Sequence, residues 1–504
     1  MLLGSGHTRT QKESQMTKVD PVREEHHELR ADGISAAGSI VMAVAGSAPA
    51  YSIAGTTAAL IALAGFASPA ALLWCGLPML GIAWAFSYLG RADVNAGASY
   101  SWVGRALHPV LGFMAGWALV VSATIFMVAG ALPAGAATVQ LFDEKASSNT
   151  LLVTIVGAIW FLIMAAAVLF GVQVTARAQW IMSTIEVALL VIFGVLALIH
   201  ASGGHHAGPS FDWSWLGFSH FGGIGGFVGA ALVAAFYYWG WDVSSNLGEE
   251  TTDGKKWAGR GGIIGVILVF ILFEVFTICV QVLLPSSAIK GNANILTDLG
   301  NVVWPGIGGK ILIVAVALST IATLETTLIQ VTRSLFAMGR DHTIPLIFGR
   351  AHSKWRTPAF ATLVVAGVSL ILFVGSNFIG TVGDILADAF LSIGIQIAFY
   401  YSLAAIAVIV AYRGTVFKSV KNFIFIALWP GIGAAFMLFI FVESIFTSDL
   451  IVIIIGFGAL VIGIIPLLLF WRKARGYYGR RPLELPDELI TSQIDINSTD
   501  ARVE

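Results

Sequence analysis

Seven acidic residues stand inside or beside long apolar runs of this chain: Glu186, Asp242, Glu274, Glu325, Asp384, Asp388 and Glu443. Holding a carboxyl in hydrocarbon is costly, so such a residue either lies at a solvated helix end or has a function there. Asp384, Asp388 and Glu443 fall near the ends of their runs and read as solvated ends. Glu274 reads as a carboxyl bonded to a hydroxyl of a neighbouring helix. Glu186 and Glu325 lie well inside theirs, with Arg333 the nearest base. A carboxyl taken out of water without a cation favours its neutral form. These two are therefore the candidates for binding and releasing a proton as a cavity opens and closes. Thr323, Thr326 and Thr327 offer oxygen ligands that a sodium ion would accept, but hydroxyls in apolar helices more often bond their own backbone. Proton coupling is the expectation, sodium the lesser one.

A second kind of chemistry resides in the backbone. Gly46-Ser47-Ala48-Pro49-Ala50-Tyr51 places a glycine and a proline three residues apart in the middle of an apolar run. Proline has no amide hydrogen and clashes with the carbonyl four residues back, so helical pairing should fail there. Unpaired backbone groups in hydrocarbon cost several kcal/mol each and persist only beside a cavity or ligand. Tyr237-Tyr238-Trp239-Gly240-Trp241-Asp242 repeats the theme, with a glycine among bulky aromatics and polar groups directly after it. A half-helix N-terminus presents free amides that suit a carboxylate, and the facing carbonyls suit an ammonium. The twelve residues of these two segments are the expected substrate-binding set, the aromatics supplying the gate, the side-chain pocket and cation–π contact.

Other chemistries are poorly represented. No nucleophile–base pair, phosphate-cradling loop or metal-ligand spacing is evident, so no enzyme, cofactor or metal is expected. Cys75 and Cys279 lie in apolar runs and read as small buried hydrophobes. His200, His205, His206 and His220 cluster around one polar loop and read as solvated rather than as a zinc site. With a net charge of −1, the chain has no footprint for nucleic acid.

The elements that must position these residues follow from composition. Of 504 residues, 57% are hydrophobic and only 11% charged, against roughly 25% charged in soluble domains. A lipid bilayer has to be the solvent. Stretches of about 20 apolar residues recur near 35–64, 70–89, 103–132, 151–170, 178–200, 222–247, 261–284, 310–335, 359–377, 382–411, 420–444 and 449–471, giving an all-α polytopic membrane protein of about twelve transmembrane helices. With the N-terminus inside, every Lys and Arg except Lys145, Lys290 and Lys310 falls on the cytoplasmic side, as the positive-inside rule requires. The termini are then both cytoplasmic and the protein sits in the cell membrane. Five spans separate the starts of the two interrupted ones, the offset of an inverted repeat. The divisions are a tail over 1–33, a first repeat over 34–200, an extracellular loop over 201–221, a second repeat over 222–411, two further helices over 412–473 and a tail over 474–504.

Three segments carry a family resemblance over roughly residues 34–475. Arg333-Ser334-Leu335-Phe336-Ala337-Met338-Gly339-Arg340-Asp341, with Pro345 and Thr357-Pro358-Ala359 beyond it, resembles the segment closing the eighth helix of the amino acid–polyamine–organocation (APC) permeases. Ala96-Gly97-Ala98-Ser99-Tyr100-Ser101-Trp102 is similar to that superfamily's small-residue turn into helix three. Gly240-Trp241-Asp242 followed by Glu249-Glu250-Thr251 is similar to its helix-six pattern. The resemblance implies a five-plus-five inverted repeat (LeuT-like) with two extra helices, and alternating-access transport of amino acids or amines. This chain departs from the pattern in two places. Gly46-Ser47-Ala48-Pro49 stands where a Gly-Ser-Gly-Ile-type break is common, and Glu186 stands where many sodium-independent members place a lysine, so a lysine-based proton switch is not available. A polyamine or other cation carrier, favoured by the acids in the core, and a non-transporting membrane sensor are the alternative readings.

Overall fold

The computed structural model describes residues 28–204, 206–292, 294–376 and 382–479 together with Leu483 and Leu485, the side chains of 382–387 excepted. Long uncharged apolar runs leave the backbone no partner but itself, and helices result. No strand occurs among the described residues; Ile34 and Thr251 form an isolated bridge.

The first apolar run holds α1 (Ala36–Ser47), α2 (Pro49–Ala64) and α3 (Ser68–Ala92). A short α4 (Ser99–Ala106) leads into α5 (Pro109–Phe142), α6 (Thr150–Phe170) and α7 (Val172–Ser202). Next come α8 (Ile224–Tyr237), the one-turn α9 (Val243–Asn246) and α10 (Gly254–Leu283). After α11 (Ile295–Val303) the chain continues through α12 (Gly308–Arg340), α13 (Ala359–Ser376), α14 (Val382–Ala411), α15 (Val420–Thr447) and α16 (Leu450–Phe470). Among the described residues, ten helical runs are long and apolar enough to cross a bilayer, with Ala36–Ala92 counted as one run and Ile224–Tyr237 falling short of the length.

The helices differ in what surrounds them. The most apolar window of α12 is 83% buried and that of α16 only 28%, so α12 is the axis and α16 belongs to the rim. Against α12 pack α5, α7, α1 and α2, while α14 closes on α5 and α8. The lipid-facing rim of α6, α7, α13, α15 and α16 keeps large apolar side chains such as Leu151, Ile199, Ile371, Phe446 and Leu468 exposed.

Candidate functional site

The first helix stops at Ser47 and restarts at Pro49. Ala48 between them is left-handed, with φ 45° and ψ 61°. Proline opens α2 as a favourable first helical residue, and the Ala50 and Tyr51 amides turn to Glu186 and Ser319, which leaves the Gly46 and Ser47 carbonyls without their helical donors. Hydroxyls replace them: Thr323 donates to the Gly46 carbonyl at 3.1 Å and Ser52 to the Ser47 carbonyl at 3.1 Å. The second break follows α8, whose helix ends at Tyr237; turns run from Tyr238 to Asp242 before α9 begins. Gly240 carries φ 97°. A Cβ on Gly46 would strike the Gly240 carbonyl, and one on Gly240 would strike that of Gly46. The two breaks therefore touch each other, backbone to backbone, at the depth where both helices unwind.

Beside this contact lies a cavity of about 10 Å³, lined by Gly46, Ser47, Ala48, Tyr51, Ser52, Phe126, Phe236, Trp239 and Thr323. That is room for roughly one water; the site is closed. Of the aromatics expected to line it, Trp239 and Tyr51 do. Tyr237 instead meets the Thr57 hydroxyl at 2.5 Å, and the Tyr238 hydroxyl donates to the Leu72 carbonyl at 3.1 Å. Trp241 is buried against Phe86 and Tyr401. Asp242 stands one layer back: Trp239 Nε1 donates to the Tyr400 hydroxyl at 2.6 Å, which donates to Asp242 at 3.0 Å, with Tyr401 and Gln330 alongside that carboxyl.

Both proton-carrier candidates reach this neighbourhood from the flanks. Glu186 is fully buried and accepts the Ala50 amide at 2.9 Å, while the Tyr51 amide donates to the Ser319 hydroxyl at 3.1 Å. The amides expected to receive a solute carboxylate are thus occupied. Glu325 accepts from Gln179 Nε2 at 2.6 Å. One oxygen of each, Glu186 Oε2 and Glu325 Oε1, has no hydrogen-bond partner among the described residues, and neither carboxyl forms an ion pair there. Thr326 bonds the carbonyls of its own helix at Ala322 and Thr323. Among the described residues Glu274 has no hydrogen-bond partner for either oxygen, contrary to the hydroxyl contact expected of it. The side chain of Asp384 lies outside the described residues, as does His205; among the described residues no three His, Cys, Asp or Glu gather as metal ligands.

Several participants have no conspicuous signature in the sequence. Phe126, Phe236, Ser319 and Tyr400 are ordinary members of apolar helices. Gln179 had a signal: Thr175, Gln179, Ser183 and Glu186 lie four, four and three residues apart, a buried polar stripe along one face of α7.

The two ends of the molecule are unlike. Toward Lys145 and Lys290 a vestibule of about 240 Å³ opens, with Tyr51 and Gly55 at its base and Gln140, Glu144, Asn294 and Asp298 on its walls. A larger hollow of about 410 Å³, mostly apolar, lies apart from the breaks between α2, Pro209 and Lys290. The opposite end is shut. Arg333 makes a bidentate pair with Glu250 at 2.9 and 3.1 Å, both side chains fully buried. Arg340 pairs with Glu249, whose carboxylate also accepts the Ala96 amide at 2.9 Å. Asn246 ties the Ala96 carbonyl to Ser334.

A family model described as amino acid permease matches residues 34–470. A low-affinity putrescine importer of Escherichia coli is 24% identical over 339 residues, 66% of this chain and 71% of its own length. A branched-chain amino acid permease of Lactococcus lactis is 25% identical over 333 residues, covering 62% and 70% of the two chains. A methylthioribose transporter of Bacillus subtilis is 25% identical over 342 residues, covering 65% and 71%.

Proposed function

The chain belongs to the amino acid permease family and is a multi-pass membrane transporter, and from that premise we propose that it moves an amino acid or related amine across the cell membrane by proton-coupled alternating access. The observation that carries the proposal is the meeting of two interrupted helices at Gly46 and Gly240 beside a closed cavity. Irregular backbone at membrane depth is tolerated where it lines a solute path. The fold then reads as twelve passes, α1–α2 forming the first and α8–α9 the sixth, in a five-plus-five inverted repeat followed by α15 and α16. The positive-inside distribution of Lys and Arg supports cytoplasmic termini and a vestibule on the outer face.

Glu186 couples the proton to the movement in this reading, because its carboxylate holds the first free amide of α2. A neutral carboxyl accepts a hydrogen bond less strongly than a carboxylate, so protonation loosens α2 from α7. Glu325, bonded to Gln179 on the same α7 face, is the second station. Purified full-length protein reconstituted in liposomes tests this. Uptake of labelled amino acids and amines should follow an imposed inward proton gradient, continue when potassium replaces sodium, and collapse with a protonophore. Strict sodium dependence would reject the coupling, and absence of any uptake under both gradients would reject transport of this solute class.

A further inference from the structure

Every amide at the start of α2 already has an acceptor. Pro49 has no N–H; Ala50 donates to Glu186, Tyr51 to Ser319, and Ser52 to the Ala48 carbonyl at 2.8 Å. A helix N-terminus of this length attracts an anion, and here the anion is a fully buried side chain of the protein itself, brought in by α7. The facing end of α1 is built differently. Among the described residues the Gly46 and Ser47 carbonyls accept only side-chain hydroxyls, from Thr323 and Ser52. A hydroxyl can rotate away, and a carbonyl oxygen keeps a second lone pair, so this end remains able to receive N–H donors. The rings of Tyr51, Phe126, Phe236 and Trp239 close around it, an arrangement that suits a cation. The approach has the same sign: among the described residues the vestibule wall holds Glu144, Asp298 and carboxamides but no Lys or Arg.

We infer that Glu186 is a resident substitute for a solute carboxylate, and that the transported solute is an organic amine cation lacking a carboxylate, its ammonium held at the C-terminal carbonyls of α1. The inference rests on the transport reading above and narrows its solute. An α-amino acid would bring a second anion to amides that are filled, and its carboxylate would be left with only the hydroxyls of Ser47, Ser52 and Thr323 as donors in a small, buried site. A buried charge served by a few neutral hydroxyls loses more hydration than they replace, whereas an amine brings no such anion.

Decarboxylation pairs test the inference directly, since each pair differs by the carboxylate alone. Agmatine with arginine, cadaverine with lysine, and tyramine with tyrosine are titrated against purified full-length protein, and the rise in melting temperature is followed as binding to the folded state. At least one amine should bind roughly ten- to a hundredfold more tightly than its parent acid, the range set by one or two charge-assisted hydrogen bonds. Equal binding within a pair, or binding of acids alone, overturns this inference and leaves transport standing. Silence of all six compounds, together with absence of uptake, counts against the transport reading itself. Glu186→Ala, which frees the Ala50 amide, should move the amine-to-acid ratio toward the acid, whereas Glu186→Gln, which keeps an acceptor oxygen at that position, should move it less. An unchanged ratio in Glu186→Ala also overturns the inference. If that variant does not fold, the wild-type pairs decide alone.

Discussion

Among single residues, Arg333 and Glu250 carry the largest electrostatic stake. Both side chains are fully buried, and the pair is bidentate. Two buried charges gain little over a well-packed apolar pair, yet removing one of them strands the other at a cost of about 3–5 kcal/mol. Arg333→Met should therefore lower the melting temperature of the purified protein sharply, and Glu250→Gln should do the same. The double variant Arg333→Met/Glu250→Gln should be more stable than Arg333→Met alone, because no lone charge remains. Additive losses in the double variant would show that packing, not charge pairing, is what these residues contribute. The pair also shows the limit of residue-level reading. Glu249-Glu250 and Arg333 each stand out in the sequence, but nothing in it says that Glu250 rather than Glu249 meets Arg333. That choice follows from the turn after α9, which directs Glu250 inward and Glu249 toward the more exposed Arg340.

At the level of elements, the breaks were legible because proline and glycine act locally. Proline at 49 and glycine at 240 alter the backbone whatever the tertiary context, and the helices stop close by, at Ser47 and Tyr237. What covers the freed groups is a different matter. The Ala50 and Tyr51 amides find their acceptors 136 and 268 residues away in the chain, and helical periodicity contains no information about inter-helix contact at that range. The aromatic cluster Tyr237–Trp241 shows the same boundary, since successive residues turn to different neighbours and only Trp239 reaches the cavity. The contact between the breaks yields a prediction of its own. Gly46→Ala and Gly240→Ala each insert a methyl into the other break's backbone, where no flexible side chain can give way; overpacking of this kind costs about 1–3 kcal/mol. Gly240→Ala adds a left-handed φ of 97° that alanine tolerates poorly. Both variants should lose nearly all uptake in liposomes, and Gly240→Ala should also lose more folded protein on size exclusion than Gly46→Ala. Wild-type uptake by either would show that the breaks separate freely and that their contact plays no part in transport.

The whole molecule has one closed end and one open end, and the segments that carried the family resemblance meet at the closed one: Ala96, Glu249, Arg333 and Arg340 come from three separate stretches of sequence. The alternating access proposed for this protein requires that closing one end and opening the other be linked as two states of a single equilibrium. The Arg340–Glu249 pair is the weaker lock, with 40% and 21% of the two side chains exposed. Its bidentate geometry leaves it worth about 1 kcal/mol, so Arg340→Ala should shift the population between the two facings by roughly fivefold rather than abolish one of them. Thiol labelling can read this shift against a low background, because Cys75 and Cys279 are both buried. Ala136→Cys lines the vestibule and should react quickly with a membrane-impermeant maleimide added outside right-side-out vesicles. Ser334→Cys sits behind the ion pairs at 1% exposure and should react slowly from the other face in inverted vesicles. Adding Arg340→Ala should speed the second reaction and slow the first by comparable factors. If both reactions accelerated, the lock would merely be holding the fold together; the reciprocal change is the signature of one equilibrium seen from its two ends.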